Sequence, residues 1–225
     1  MNTQPFPGVI SLVVAQERVK RHLGPRANVF IEGKFSFALS LDVVYKHGLK
    51  PGLLVDAAML SAMLREDGEA KALVTAANFI GYRPRSRDEV RKRLERDEWS
   101  EEVISRVLER LQAAQMLNDA EFAANWVRAR ERSKPRGSRL LSQELRQKGV
   151  AKEEIEAALP DADAELENAM AALAKLERKL APYTGRDRDQ KATEHLMRRG
   201  FSFSVIKAAL RRESEEAENE DDEEN

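Results

Sequence analysis

The sequence predicts a mainly α-helical protein of three tandem three-helix repeats, preceded by a small β-containing module. The main observation is an apolar pattern of four positions that returns twice at a spacing of 51 residues with identical internal offsets. Its copies are Leu94, Trp99, Ile104 and Leu108; Leu145, Val150, Ile155 and Leu159; and Leu196, Phe201, Ile206 and Leu210. Such a period indicates one supersecondary unit used three times, each too small to bury its apolar face without its neighbours.

The second observation is a set of β-strand patterns in the first sixty or so residues, which lie outside the repeat. Residues 9–14 are apolar and β-branched, and segments 28–31 and 35–39 flank the turn sequence Glu32-Gly33-Lys34. Two such segments around a glycine turn predict a hairpin. A period-two pattern predicts that one hairpin face is apolar. That face consists of Val29, Ile31, Phe35, Phe37 and Leu39.

Two short helices are expected to complete this module. The first covers about 40–46, and the second begins at Asp56, a residue type that caps helices well. We therefore predict an α+β module over residues 1–66, joined to the repeats by the polar sequence Glu66-Asp67-Gly68.

The repeats are predicted from helix periodicity and from start and stop signals. Amphipathic runs at 70–80, 121–132 and 166–180 each precede a pair of shorter helices. The expected boundaries are 69–117 for repeat 1, 118–160 for repeat 2 and 161–212 for repeat 3.

Capping residues support this division of the repeats. Ser86 and Glu89 have the spacing of a capping box, and Ser100 and Ser202 are expected N-caps. The turn inside repeats 2 and 3 contains Gly149 and Gly200, whereas repeat 1 has Glu98 there. We therefore expect the first turn to be strained or built differently.

Composition excludes several classes of protein. The chain has no cysteine, so disulfides, thiolate chemistry and cysteine-based zinc sites are excluded. The longest apolar stretches are about five residues, too short to span a bilayer, and the N-terminus lacks a signal-peptide pattern. These features predict a soluble cytoplasmic protein with no membrane partner.

Candidate catalytic residues are scarce. The three histidines, His22, His47 and His195, are isolated in the sequence, and the common hydrolase, metalloprotease and phosphate-loop motifs are absent. We expect no enzymatic activity, no cofactor and no metal site.

Charge is strongly segregated along the chain. Residues 213–225 contain nine acids and no base, so removing them changes the formal net charge from −1 to +8. This composition predicts a disordered acidic tail on a basic body. A basic body suits a polyanionic partner or an acidic protein surface. The alternative is that many arginines only pair with acids one helical turn away, as Glu89 and Arg93 would.

Short motifs within the repeats resemble the RecX family of bacterial regulators of the RecA recombinase. They are Gly81-Tyr82-Arg83-Pro84-Arg85-Ser86 with Glu89-Val90 and Leu94, then Leu117-Asn118-Asp119-Ala120-Glu121-Phe122-Ala123, then Pro135-Arg136-Gly137 with Glu144-Leu145. The resemblance extends over about 70–212, and residues 28–56 resemble the β-rich extension of some members. It implies a non-enzymatic protein that binds along the groove of the RecA–DNA filament. There it would inhibit strand exchange, ATP hydrolysis and coprotease activity, with roles in DNA repair, DNA recombination and the SOS response.

A contact surface for such a partner is predicted from the arginines of repeats 1 and 2, because arginine pairs bidentately with carboxylate and phosphate. The candidates are Arg85, Arg87, Arg91, Arg136, Arg139 and Arg146. For Trp126, the sequence does not distinguish a position in the core from one at an interface. The expected protein is a monomer whose successive units engage successive filament protomers.

The sequence leaves one other function open and disfavours a third. The second and third helices of each repeat resemble a helix-turn-helix, so direct binding to single- or double-stranded DNA is the main alternative. A scaffold for another protein would need large exposed apolar stripes, and the polar helix faces show none.

Overall fold

The computed structural model describes residues 4–17 and 24–223, with side chains through residue 216. The chain forms two compact units, Met1–Leu117 and Asn118–Asn225. The first unit contains the β module and repeat 1, and the second contains repeats 2 and 3. His22 and the last two tail residues lie outside the described part.

The β module is a four-stranded sheet. Its strands are β1 (Gly8–Ala15), β2 (Arg26–Ile31), β3 (Lys34–Ser40) and β4 (Leu54–Val55), in the order β3-β2-β1-β4. All three pairings are antiparallel. The predicted hairpin is β2–β3, and its two turn residues, Glu32 and Gly33, have φ of 51° and 78°. Two positive φ values suit a two-residue hairpin turn, because they match the twist of the strands.

The predicted apolar face of the hairpin is wrong at one residue. Val29, Ile31, Phe37 and Leu39 are buried, but Phe35 is 41% exposed. The register shifts between Val29 and Phe30, so that Ser36 is an extra residue on β3 and the alternation reverses there. Ser36 is buried, and its hydroxyl both donates to the Phe6 carbonyl and accepts from the Phe6 amide.

The polar sequence predicted to join the module to the repeats is helical instead. Helix α1 covers Leu41–Lys46, and α2 runs without interruption over Ala57–Gly81, with Asp56 as its N-cap. Asp67, in the middle of α2, is 1% exposed and forms an ion pair of 3.0 Å with Arg26 of β2. It also accepts a hydrogen bond from the Ser40 amide at 2.6 Å. The joint is therefore a packing site that holds the helix against the sheet.

The three-helix repeats are confirmed. Repeat 1 combines the C-terminal part of α2 with α3 (Arg87–Arg96) and α4 (Glu101–Ala113). Repeat 2 contains α5 (Asp119–Ser133), α6 (Ser138–Gln147) and α7 (Lys152–Ala158). Repeat 3 contains α8 (Ala162–Ala174), α9 (Glu177–Leu180), α10 (Gly185–Arg198) and α11 (Phe203–Glu223). The equivalent leucines of the three repeats are fully buried, each in the core of its own repeat.

The caps and turns of the repeats follow their expected chemistry. Ser86 and Glu89 form a reciprocal capping box, and Ser100 caps α4. Glu98 has a φ of 61°, so repeat 1 places an ordinary residue in a left-handed conformation where repeats 2 and 3 have Gly149 and Gly200. The predicted strain at Glu98 is therefore present.

Repeat 3 differs from its prediction in two places. The expected single run over 166–180 is divided into α8 and α9, and the turn between them lets Leu176 and Leu180 both enter the repeat core. The acidic tail, expected to be disordered, continues α11 to Glu223. Pairs one turn apart support its first part, since Arg211 and Arg212 bind acids of the tail.

Repeats 2 and 3 meet at two glycines. The Gly137 amide donates to the Arg199 carbonyl at 3.0 Å. A β carbon on Gly137 would lie 2.4 Å from the backbone of Gly200, and one on Gly200 would lie 2.4 Å from Leu140. The N-terminus of α6 is capped from repeat 3, where the Glu165 carboxylate accepts from the Ser138 amide at 2.8 Å. These contacts lie within the second unit.

Candidate partner-binding surface

Arg85 of repeat 1 is a packing residue as well as a charge. It lies in the bend between α2 and α3, and its guanidinium stacks 3.7 Å from the centre of the Phe79 ring. Its side chain is 15% exposed, and its nearest carboxylate oxygen, on Glu89, is 3.9 Å away. Burial, followed by the neighbouring charge of Arg83, lowers the pKa of Arg85. Substitution of Arg85 would therefore remove packing as well as charge.

Arg91 is committed to an ion pair between two helices of repeat 1. Its Nη1 donates to both carboxylate oxygens of Glu101, at 2.6 and 2.7 Å, which joins α3 to the start of α4. This hydrogen bond is the main reason that the pKa of Arg91 is raised. Arg87, the first residue of α3, is half-buried. None of the three repeat 1 candidates is therefore a fully exposed charge.

In repeat 2, Arg136 belongs to a cluster centred on Glu144. This carboxylate forms ion pairs with Arg136 and, at 3.0 Å, with Arg130, and it accepts a hydrogen bond from Trp126 Nε1 at 2.7 Å. The Arg130 guanidinium lies 4.4 Å from the centre of the Trp126 ring. Burial, followed by the charges of Arg130 and Arg199, lowers the pKa of Arg136. Trp126 is thus half-buried and covered by cations.

Arg139 and Arg146 differ from the other candidates, because both are exposed on α6. Within the described residues neither forms an ion pair. They are seven positions apart, two helical turns, and therefore lie on the same face of α6. Gln143, between them on that face, is also exposed. This face, Arg139, Gln143 and Arg146, is called the α6 basic face below.

The Glu144 cluster was not predicted, although the sequence contained a signal for it. Arg83 and Arg130 are 47 residues apart, the offset that also relates Phe79 to Trp126. Arg85 and Arg136 are 51 residues apart, the offset of the main repeat. An aromatic ring beneath arginines is therefore a repeated feature. Its acidic partner was missed because Glu144 lies eight residues beyond Arg136, outside the spacing of local helix pairs.

Metal centres and membrane spans are absent from the described residues. No group of three or more histidines or acids there is placed to hold a metal ion. No helix in that part of the chain is long and apolar enough to cross a membrane. His47 lies 3.0 Å from Glu66, and burial, followed by the charge of Arg199, lowers the pKa of His195.

Comparison with known proteins gives consistent matches along the chain. The N-terminal domain of regulatory protein RecX matches residues 12–56, and the first, second and third three-helix domains of RecX match 72–111, 118–159 and 163–210. The regulatory protein RecX of Bacillus pumilus is 34% identical over 202 residues, 88% of this chain and 76% of that protein. That of Bacillus subtilis is 35% identical over 199 residues, 88% of this chain and 75% of that protein.

Solved structures agree with these sequence matches. A crystal structure of regulatory protein RecX has a TM-score of 0.74 and 28% identity, and the match covers 91% of this chain and 99% of that one. RecX from Lactobacillus salivarius shares the fold, with a TM-score of 0.61, 24% identity and coverage of 65% of this chain and 97% of that one. By its sequence matches, its three helical repeats and its N-terminal sheet, this chain belongs to the RecX family of regulatory proteins.

Proposed function

We propose that this protein regulates the RecA recombinase by binding the RecA–DNA filament in the cytoplasm. There it inhibits strand exchange, ATP hydrolysis and coprotease activity, without catalytic activity of its own. Membership of a family of regulatory proteins supports a regulatory role. The partner and the inhibited activities are inferred from the resemblance described above and from the charge of the repeats.

The observation that carries the proposal is the α6 basic face. Two exposed arginines on one helix face, with no carboxylate partner in the described residues, leave positive charge available to a polyanion. Arg85, Arg91 and Arg136 instead hold internal contacts. Among the six candidates, we therefore assign the main contacts to Arg139 and Arg146. The other four are partly buried and are not assigned main contacts with the filament.

Direct binding to DNA is the alternative function, and sequence-specific readout of bases is disfavoured by the third helices of repeats 1 and 2. A recognition helix contacts bases through its N-terminal residues. In repeat 1 that position in α4 is Glu101-Glu102, and in repeat 2 α7 carries Glu153-Glu154 in its first turn. Carboxylates at these positions would repel the DNA phosphates, so the geometry of these two repeats does not by itself support sequence reading. The first turn of α11 in repeat 3 contains no acid.

The test is RecA-dependent ATPase activity and strand exchange with and without the purified protein. The double variant Arg139→Glu/Arg146→Glu should raise the concentration for half-inhibition by about tenfold or more, because each charge-assisted contact contributes about 1.5–3 kcal/mol. Inhibition unchanged in this variant would exclude the α6 basic face. A wild-type protein without effect on either assay would reject the proposed function.

A matched control changes the same charge elsewhere. Arg65 of α2 and Arg178 of α9 are also exposed, and neither has an ion pair within the described part of the chain. The variant Arg65→Glu/Arg178→Glu should inhibit like the wild type. Binding to naked DNA, measured in parallel, should weaken steeply with salt, whereas inhibition of the filament should persist.

A further inference from the structure

Repeats 1 and 2 differ in the charge at one equivalent position beside their aromatic rings. In repeat 2 that position is Glu144, whose carboxylate holds Arg130, Arg136 and Trp126 together. The residue 51 positions earlier, in repeat 1, is Arg93. Repeat 1 therefore has the ring and the arginines of this cluster but a cation at the position of Glu144, and the carboxylate near its arginines is Glu89, four residues earlier on α3.

The corresponding place in repeat 1 is a pocket. It has a volume of about 330 Å³ and is lined by Phe79, Arg85, Glu89, Lys92, Arg93 and Arg96. Four of the six lining residues are cations, and only one is an acid. That acid, Glu89, pairs more closely with Arg83, at 2.9 Å, than with Arg85, at 3.9 Å. The lining therefore carries more positive charge than its own carboxylate balances.

The cations of the pocket are only partly compensated from outside it. The Nε of Arg93 donates a hydrogen bond to Asp97 at 3.0 Å, and the ammonium of Lys92 forms an ion pair with Asp88 at 2.6 Å. Arg96, the last residue of α3, is exposed and has no ion pair within the described residues. At the two positions equivalent to Lys92 and Arg96, repeat 2 has the neutral residues Gln143 and Gln147. At these two positions beside the ring, the additional positive charge is thus present in repeat 1 and absent from repeat 2.

We propose that this pocket is a binding site for a phosphate group. The phosphate lies at the position that the Glu144 carboxylate has in repeat 2, and it accepts hydrogen bonds from guanidinium groups that line the cavity. Arginine suits this ligand because its planar donors match phosphate oxygens in pairs. The phosphate group belongs either to a small phosphorylated molecule or to the backbone of a nucleic-acid strand. The inference goes beyond the proposed RecA contact and is tested on the protein alone.

The test is a charge exchange that leaves the net charge unchanged. The variant Arg93→Glu/Asp97→Lys gives repeat 1 the residues that repeat 2 has at the equivalent positions, Glu144 and Lys148. Its new carboxylate should occupy the place of the ligand. We expect the affinity for inorganic pyrophosphate, measured by calorimetry with the full chain, to fall by about tenfold or more.

The control is the same exchange at an exposed pair outside the pocket. Lys152 and Glu156 are also four residues apart, with 3.6 Å between their charged atoms. The variant Lys152→Glu/Glu156→Lys should bind pyrophosphate like the wild type. A second pocket variant, Arg96→Gln, removes an exposed cation and is not expected to affect folding, so it tests the site even if the exchange perturbs α3.

A labelled oligothymidylate distinguishes the two sources of the phosphate. For a backbone phosphate, Arg96→Gln should reduce the slope of log affinity against log salt by about 0.7, the contribution of one phosphate contact on a single strand. An effect on pyrophosphate alone assigns the site to small molecules. Pyrophosphate and oligonucleotide binding unchanged in both pocket variants, or weakened equally by the control exchange, would overturn the proposal.

Discussion

The contact between Gly137 and Gly200 allows a sharp test of how repeats 2 and 3 pack. In the variant Gly137→Ala the new β carbon would lie 2.4 Å from the Gly200 carbonyl and from the Phe201 amide nitrogen. Carbon atoms in favourable contact are about 3.5–4.0 Å apart, so the backbones must separate by about an ångström. Gly137 itself has a φ of −75°, which alanine adopts freely. The whole effect therefore comes from the close approach.

The expected cost combines two terms. Overpacking of this kind costs about 1–3 kcal/mol, and separation would also break the 3.0 Å hydrogen bond from Gly137 to Arg199, worth about 0.5–1.5 kcal/mol. We therefore expect Gly137→Ala to lower the free energy of unfolding of the second unit by about 2–4 kcal/mol.

Urea unfolding followed by circular dichroism and tryptophan fluorescence measures this change, with separate transitions allowed for the two units. The matched control is Gly81→Ala at the end of α2, where a β carbon would meet no atom within 4 Å. That variant should be neutral or more stable by up to about 1 kcal/mol. A Gly137→Ala protein within about 0.5 kcal/mol of the wild type, at an unchanged denaturant slope, would refute the close contact.

Three further predictions concern the core, the buried ion pair and the strained turn. Substitution of each equivalent buried leucine by alanine should lower the free energy of unfolding, measured in urea, by about 2–5 kcal/mol. A substitution without effect at one of the three positions would contradict the equivalence of the repeats. These leucines are Leu94, Leu145 and Leu196. Burial raises the pKa of Asp67, but hydrogen bonds from Arg26 and Lys71 outweigh it, so the pKa lies below its ordinary value of 3.8. The stability from this carboxylate is therefore fully present above about pH 4 and is lost as the pH falls through the folded-state pKa. The variant Asp67→Asn should lower the free energy of unfolding by about 3–5 kcal/mol at neutral pH. Its unfolding should also be less sensitive to acid than that of the wild type. Glu98→Gly should stabilise the first unit by about 0.5–1 kcal/mol, because glycine adopts the left-handed conformation of this turn without strain. The control Glu95→Gly, within α3, should destabilise the unit by a similar amount. Thermal unfolding of the two variants measures both changes.

The repeats could be predicted because their signal is local. Helix caps and turns depend on residues three to five positions apart, and the 51-residue spacing aligns three copies of the same pattern. The sequence predictions are wrong where a residue distant in the sequence determines the local structure. The sequence predicts that Asp67 belongs to a polar linker. In the structure it lies inside α2, where its carboxylate pairs with Arg26, 41 residues earlier in the chain. Phe35 reads as buried because one inserted residue, Ser36, is invisible to a simple alternation.

The candidate surface shows the same limit. All six arginines look alike in the sequence, but their availability depends on acids that are not their helical neighbours. Arg91 is held by Glu101, ten residues away, and Arg136 by Glu144, eight residues away. Arg139 and Arg146 are exposed, and neither pairs with an acid within the described residues, so their charges are available to a partner. Composition predicted an excess of positive charge, but only the pairing pattern locates it.

The acidic tail offsets part of the positive charge of repeat 3. Its first carboxylates pair with one arginine of α10 and with the two arginines that precede them on α11. Glu213 binds Arg188 through two hydrogen bonds of 2.8 Å, and Glu216 binds Arg212 at 3.0 Å. Repeat 2 has no acidic segment of this kind, and its half-buried Glu144 is held in the cluster around Trp126. Among the six candidates, the arginines of the second unit that are exposed and unpaired within the described residues are therefore those of α6, the helix whose arginines we assign to the filament.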